Sequence, residues 1–225
     1  MMRQSPVQKP QLKVCGLTRA DEALACVAAG ANAIGCVFYP PSPRHVSLET
    51  AAAIAHALKG AVPLVGVFVD ASYEIIMQAV RTCGLNAVQL HGGEPPALVD
   101  RLARAPLPVI KALFVHRRPF ATQAPHYPAH AFLLESGAGR LPGGTAQAWN
   151  PEPLKQFSRR HPLVLAGGLS VENIAAAAGA CQPDAVDVSS SVESAPGRKD
   201  PRKVKLLTAA LPAAAGRRFL RRIFK

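Results

Sequence analysis

The stretch Lys13-Val14-Cys15-Gly16-Leu17-Thr18-Arg19 carries a short apolar strand onto a thiol, a glycine and a threonine that can start a helix. Side chains alternate along a strand, so Leu12 and Val14 share one face while Lys13 and Cys15 share the other. Gly16 allows a sharp exit. Thr18 followed by Asp21 and Glu22 has the make-up of a helix N-terminus, with acids in the first turn. A reactive group at the C-terminal end of a strand that feeds a helix stands where parallel α/β folds place their chemistry.

Outward from this stretch, apolar runs of strand length alternate with alanine-rich helical segments, the pattern of repeated βα units around a parallel sheet. About eight units can be drawn. The predicted strands are 11–15, 33–38, 64–69, 87–90, 109–114, 131–135, 163–166 and 185–189, with helices opening at Thr18, Ser47, Ser72, near Glu94, and at Pro151, Ser170 and Asp200. The fifth unit is the weakest, because residues 115–130 hold three prolines and three histidines and leave room for only a short helix. An even count without a break in composition favours closure into a single-domain (β/α)8 TIM barrel. The reading assigns residues 1–10 to a flexible N-terminal extension, 11–212 to the barrel and 213–225 to a basic C-terminal tail. Within that tail, Gly216 to Lys225 would put Phe219, Leu220, Ile223 and Phe224 on one face of a helix and arginines on the other.

Composition narrows the function classes. With 225 residues, 49% of them hydrophobic, the chain has enough apolar material for one large core. No run of 18 uncharged apolar residues suggests a membrane span. The N-terminus lacks the apolar segment of a secretory signal, which points to the cytoplasm. Five widely spaced cysteines without a Cys-x-x-Cys pair argue against a disulfide framework and a zinc site, so no metal is expected. The formal net charge of +12 is mostly a property of the end of the chain, since Arg202, Lys203, Lys205, Arg217, Arg218, Arg221, Arg222 and Lys225 follow the last acid, Asp200. No nucleic-acid partner is expected on that distribution. The tail alone is compatible with an acidic partner, RNA or an anionic membrane surface.

In a barrel the C-terminal ends of the strands converge on one face. They offer Cys15, Arg44, Gln89, His91, Glu135 and Asp187. Closure sets strand eight beside strand one, so Asp187 and Lys13 can form an interior ion pair below the thiol. That pair either neutralises two buried charges or tunes Cys15. Ala166-Gly167-Gly168-Leu169-Ser170 and Asp187-Val188-Ser189-Ser190-Ser191-Val192-Glu193 lie after the seventh and eighth strands. Barrels often hold a phosphate there, so Gly167, Gly168, Ser189 and Ser190 are candidate ligands. Pro142-Gly143-Gly144 sits in the longest loop, a candidate lid.

With these motifs in this order, the chain from about residue 11 to about residue 212 resembles the phosphoribosylanthranilate isomerases of tryptophan biosynthesis. The resemblance runs through Lys13-Val14-Cys15-Gly16-Leu17-Thr18, Pro41-Ser42-Pro43-Arg44, Val88-Gln89-Leu90-His91-Gly92, Leu133-Leu134-Glu135-Ser136, Leu165-Ala166-Gly167-Gly168-Leu169 and Asp187-Val188-Ser189-Ser190. It implies a (β/α)8 barrel that needs no cofactor and opens the ribose of N-(5-phosphoribosyl)anthranilate by an Amadori rearrangement. Cys15 would be the general base, Glu135 the general acid, and Arg44 the ligand of the anthranilate carboxylate. The partner implied is this small phosphorylated substrate, with the chain a monomer or homodimer. A thiol titrates near ~8.5 when solvated, so a modest depression would make it a usable base near neutrality.

The chain departs from the family pattern at three positions. Glu135 stands where the family has aspartate, Ala146 follows Thr145 in place of a glycine, and Ser191 replaces the glycine after two serines. These leave a second reading, a barrel that binds a phosphorylated ligand with weak or lost activity. The two-phosphate isomerase of histidine biosynthesis fits less well, because phosphate loops occur only in the last quarter of the chain.

Overall fold

The computed structural model describes residues 9–135, 151–214 and 220–225. Eight parallel strands close a barrel in sequence order: β1 Gln11–Cys15, β2 Ala33–Val37, β3 Leu64–Phe68, β4 Ala87–Leu90, β5 Val109–Phe114, β6 Ala131–Glu135, β7 Leu163–Leu165 and β8 Ala185–Val188. β1 pairs with β8 through Lys13↔Asp187 and with β2 through Lys13↔Ala33. The helices around it are α1 Ala20–Ala28, α2 Leu48–Leu58, α3 Tyr73–Cys83, α4 Pro96–Ala103, α5 Pro151–Arg160, α6 Ile174–Cys181 and α7 Pro201–Ala210. Between β5 and β6 runs a short 3-10 helix, Ala121–His126, as the proline content of that unit requires.

The elements follow local chemistry. Ser47, Ser72 and Asp200 accept from the backbone N–H groups of Thr50, Ile75 and Arg202 at the starts of α2, α3 and α7. Three expected helix starts move. Thr18 instead donates to the Gly197 carbonyl and α1 begins after Arg19; α4 begins at Pro96; and α6 begins at Ile174, after Asn173 has bonded back across the Gly168–Ser170 turn. Strands β2, β3, β7 and β8 each end one residue sooner than the apolar runs suggest. After β8 a small hairpin forms from β9 Glu193–Ala195 and β10 Arg198–Lys199.

Two apolar layers result. The larger lies between sheet and helices and includes Leu12, Val14, Ile34, Phe68, Leu90, Leu134 and Val186. The smaller fills the barrel interior and includes Ala33, Val65, Ala87, Ile110, Ala131, Leu133, Val164 and Ala185, together with Ile223 and Phe224. That last pair corrects the expected amphipathic tail helix: Leu220–Lys225 is not helical, and Ile223 and Phe224 are only 3% and 2% exposed. Their apolar surface is satisfied inside this chain. Phe219 and the candidate lid, with Thr145 and Ala146, lie outside the described residues.

Candidate active site

Strand alternation points Lys13 and Cys15 into the barrel, and closure brings Asp187 to Lys13 with Nζ and Oδ1 2.9 Å apart. The ammonium is fully buried, and Asp187 and the thiol together hold its proton more tightly than usual against the opposing effect of burial. Cys15 lies directly above, 7% exposed. Burial pushes its thiol up from the ordinary value, with Lys13 opposing that shift and Asp187 adding to it. This is the reverse of the depression expected from sequence: desolvation outweighs the cation. Room for the thiol comes from Gly35 on β2, where a Cβ would lie 2.8 Å from the Cys15 sulfur and 3.1 Å from Lys13 Nζ.

At the end of β1 the backbone turns at Gly16 with φ +80°, and the Arg44 stem packs where a side chain on Gly16 would stand. The Arg44 guanidinium is held by a bidentate pair to Glu193, Nε to Oε1 at 2.8 Å and Nη2 to Oε2 at 2.7 Å. Lys199 Nζ donates to the same Oε1 at 2.6 Å and reaches the Ser189 carbonyl and hydroxyl at 3.2 Å, while Ser189 Oγ donates to the Cys15 carbonyl at 2.9 Å. Burial acts to raise Glu193, but Arg44 and Lys199 hold its carboxyl below the usual range. Glu193 and Lys199 are the residues that sequence reasoning missed. Glu193 closes one of the quoted loops, yet its pairing with Arg44, 149 positions away, has no local signature.

On the far wall, Gln89 Nε2 donates to His91 Nδ1 at 2.8 Å, so a neutral ring carries its proton on Nε2, which faces Glu135 Oε2 at 3.5 Å. Glu135 ends β6 and is 4% exposed. On the helix-facing side of this wall, Lys111 on β5 donates to Glu94 Oε2 at 2.7 Å and to the Gly92 carbonyl at 2.8 Å, fixing the turn after His91.

All ten residues singled out from the sequence, Cys15, Arg44, Gln89, His91, Glu135, Gly167, Gly168, Asp187, Ser189 and Ser190, line one open cavity. Ser191 lines it too and lies in a 3-10 turn, Ser190–Val192, outside the left-handed region, so serine in place of glycine costs no backbone strain there. The buried side-chain polar atoms lacking a hydrogen-bond partner among the described residues are Gln89 Oε1, His91 Nε2 and Ser191 Oγ. All three belong to this cavity, and unsatisfied buried polar atoms of this kind mark where a polar ligand would bond. No group of three His, Cys, Asp or Glu side chains among the described residues makes a metal-ligand set. The cavity offers a thiol, a carboxylate, a guanidinium and two glycine- and serine-rich turns, a set suited to proton transfer on an anionic polyol.

Comparison with known proteins agrees with that chemistry. A family model for N-(5'phosphoribosyl)anthranilate (PRA) isomerase matches residues 12–210. An N-(5'-phosphoribosyl)anthranilate isomerase from Desulfatibacillum aliphaticivorans is 49% identical over 195 residues, covering 87% of this chain and 89% of its own length. The phosphoribosyl anthranilate isomerase from Thermotoga maritima has a similar crystal structure, with TM-score 0.83 and 38% identity over 89% of this chain and 98% of that one. A phosphoribosyl anthranilate isomerase solved in complex with reduced 1-(o-carboxyphenylamino)-1-deoxyribulose 5-phosphate is also similar, with TM-score 0.78 and 38% identity over 88% and 96% of the two chains. With a family model matching residues 12–210 and a relative 49% identical over 87% of its length, the chain belongs to the N-(5'-phosphoribosyl)anthranilate isomerase family.

Proposed function

We propose that this isomerase converts N-(5-phosphoribosyl)anthranilate to 1-(2-carboxyphenylamino)-1-deoxyribulose 5-phosphate in tryptophan biosynthesis, with Cys15 as general base and Glu135 as general acid. The observation that carries the reading is that the thiol, the carboxylate and every buried unpartnered side-chain polar atom among the described residues line one cavity.

The phosphate binds at Gly167, Gly168, Ser189 and Ser190, and Arg44 takes the anthranilate carboxylate. Glu193 occupies the Nε–Nη2 edge of Arg44, and among the described residues nothing engages Nη1, so a second carboxylate can approach that end. The sugar then lies between Cys15 and Glu135, three strands apart around the barrel. Glu135 gives a proton to the ring oxygen as the C1–O bond breaks and the anilino nitrogen forms a C1=N iminium. Cys15 takes the C2 proton, the C2–H electrons form C1=C2, and the iminium becomes neutral. The resulting enaminol regains a proton at C1 as its C2 hydroxyl becomes the ketone. The iminium is a cation beside the thiol, and it favours the thiolate at the step where the thiolate is needed.

The direct test is the loss of fluorescence of freshly generated N-(5-phosphoribosyl)anthranilate on adding the protein. Turnover is expected. A folded protein that binds reduced 1-(o-carboxyphenylamino)-1-deoxyribulose 5-phosphate without consuming substrate would leave only the ligand-binding reading. Two variants probe the assignments. Glu135→Asp is expected to keep or raise kcat, since aspartate is the family residue; a large loss would show that this cavity is fitted to the longer side chain. Glu193→Gln keeps the shape but weakens the anchor of Arg44, so KM should rise about tenfold with kcat little changed, as expected when one charge-assisted bond that positions a binding group is lost. An unchanged KM would remove Arg44 from carboxylate binding.

A further inference from the structure

The lower end of the barrel, opposite the cavity, holds an arrangement that isomerisation does not use. Each even-numbered strand of the barrel begins at an alanine preceded by a polar residue: Asn32-Ala33, Asn86-Ala87, His130-Ala131 and Asp184-Ala185. The registers and burial put the four alanines into the barrel as its lowest inward layer, the four alternate strands supplying one each. Barrel interiors are normally filled at that level by bulky branched side chains. Here four methyl groups leave a hole on the axis, and a close-packed interior does not tolerate an empty one.

The end of the same chain fills it. Ile223 and Phe224 join the cluster formed by these alanines with Val65, Ile110 and Val164. Gln11, two positions below Lys13 on β1, grips the segment by its backbone: Oε1 accepts from Ile223 N at 2.7 Å and Phe224 N at 3.0 Å, and Nε2 donates to the Phe224 carbonyl at 2.7 Å. Arg221 forms the second attachment. Its backbone N–H and Nη1 bond the two oxygens of Asp184 at 2.9 and 3.3 Å. Its guanidinium caps the end of α5 through the carbonyls of Ser158, Arg159 and His161 at 2.8–3.1 Å. The family match ends at residue 210, so this segment lies beyond the region shared with the isomerases.

We propose that the lower mouth of the barrel is a peptide-binding site whose ligand is the chain's own C-terminal segment, Arg221–Lys225, with Ile223 and Phe224 standing in for the missing side-chain layer beneath the Lys13–Asp187 pair. The ligand class is an apolar dipeptide flanked by cations: the side chains enter the alanine-lined hole, Gln11 reads the backbone, and Arg221 reads Asp184 and the end of α5. Arg221–Lys225 is thereby an internal ligand and not a free arm for an anionic surface.

The test uses the full chain. Phe224→Ser should lower the melting temperature by about 10 °C, the usual scale for losing a large buried aromatic from a domain of this size. Ala131→Leu fills the hole from the barrel side and should release the segment. In that background Phe224→Ser should change the melting temperature by no more than about 2 °C, the non-additivity expected of two residues competing for one space. Trypsin gives a second readout that does not depend on a melting transition. The Arg222–Ile223 bond should be cut at least about 100-fold more slowly in the unaltered protein than in a synthetic peptide of residues 216–225, because cleavage requires the docked form to open. Cleavage in Ala131→Leu should approach the rate in the peptide. Cleavage of the unaltered protein at the peptide's rate would overturn the proposal. So would an effect of Phe224→Ser that is negligible in the parent or equal in both backgrounds. Should Ala131→Leu fail to fold, the protection of the Arg222–Ile223 bond and the Phe224→Ser shift still decide it.

Discussion

Cys15→Ser is expected to lower kcat by about 10²–10⁴-fold while leaving the fold and the affinity for the reduced product analogue intact, because general-base catalysis contributes on that scale and the two side chains are nearly the same size. The pH profile is the sharper measurement. A base acts only when deprotonated, and burial raises the Cys15 thiol in the free enzyme. The thiolate fraction therefore grows about tenfold per pH unit through neutrality, and kcat/KM of the unaltered enzyme should rise with that slope until pH passes the raised value. A serine hydroxyl does not titrate in that range, so the residual activity of the variant should be flat. A serine variant that retained the slope would assign the titration, and the base, to another group.

Lys13→Met should be strongly destabilising, on the same scale as Phe224→Ser. It leaves Asp187 buried without its 2.9 Å partner, and breaking a buried pair from one side typically costs about 3–5 kcal/mol. For a domain of this size that is a fall of about 10 °C in melting temperature. Adding Asp187→Leu removes the stranded charge, and two apolar side chains of similar bulk should then recover most of the loss. Activity should not return with stability. Lys13 is the cation that counters desolvation of the thiol, so both variants should push the Cys15 pKa further up and lower kcat/KM at neutral pH. Thermal unfolding and the fluorescence assay on the same three proteins measure both effects. Recovery of activity in the double variant would reduce the pair to charge neutralisation alone, the other reading open at the level of sequence.

The barrel was legible because its signal is local and repeated: apolar runs of strand length, alanine-rich helices, and serine or aspartate at helix starts, as Ser47, Ser72 and Asp200 bear out. The gathering of Cys15, Arg44, Glu135 and Asp187 around one cavity followed from topology, since closure brings the strand ends together. Three features were not legible for physical reasons. The direction of the Cys15 shift depends on a balance between burial and a neighbouring ammonium, and a list of neighbours does not weigh the two. The Arg44–Glu193–Lys199 network joins residues far apart along the chain through side-chain geometry alone. The tail failed because helical periodicity was read from Phe219, Leu220, Ile223 and Phe224, whereas tertiary burial governs Ile223 and Phe224. The repeated Asn-Ala, His-Ala and Asp-Ala pairs at the even strands were the available clue to a floor in need of filling.

The placement of the five thiols also gives the protein a built-in means of counting its competent molecules. Cys26, Cys36, Cys83 and Cys181 are sealed between sheet and helices, and burial pushes Cys26 and Cys181 up to about 11. Cys15 faces the open cavity. A small alkylating reagent at mildly alkaline pH should therefore mark a single sulfur per folded chain, and bound product analogue should shield it. The stoichiometry of protected labelling would then report the fraction of any preparation that holds a working cavity, independently of how fast it turns over.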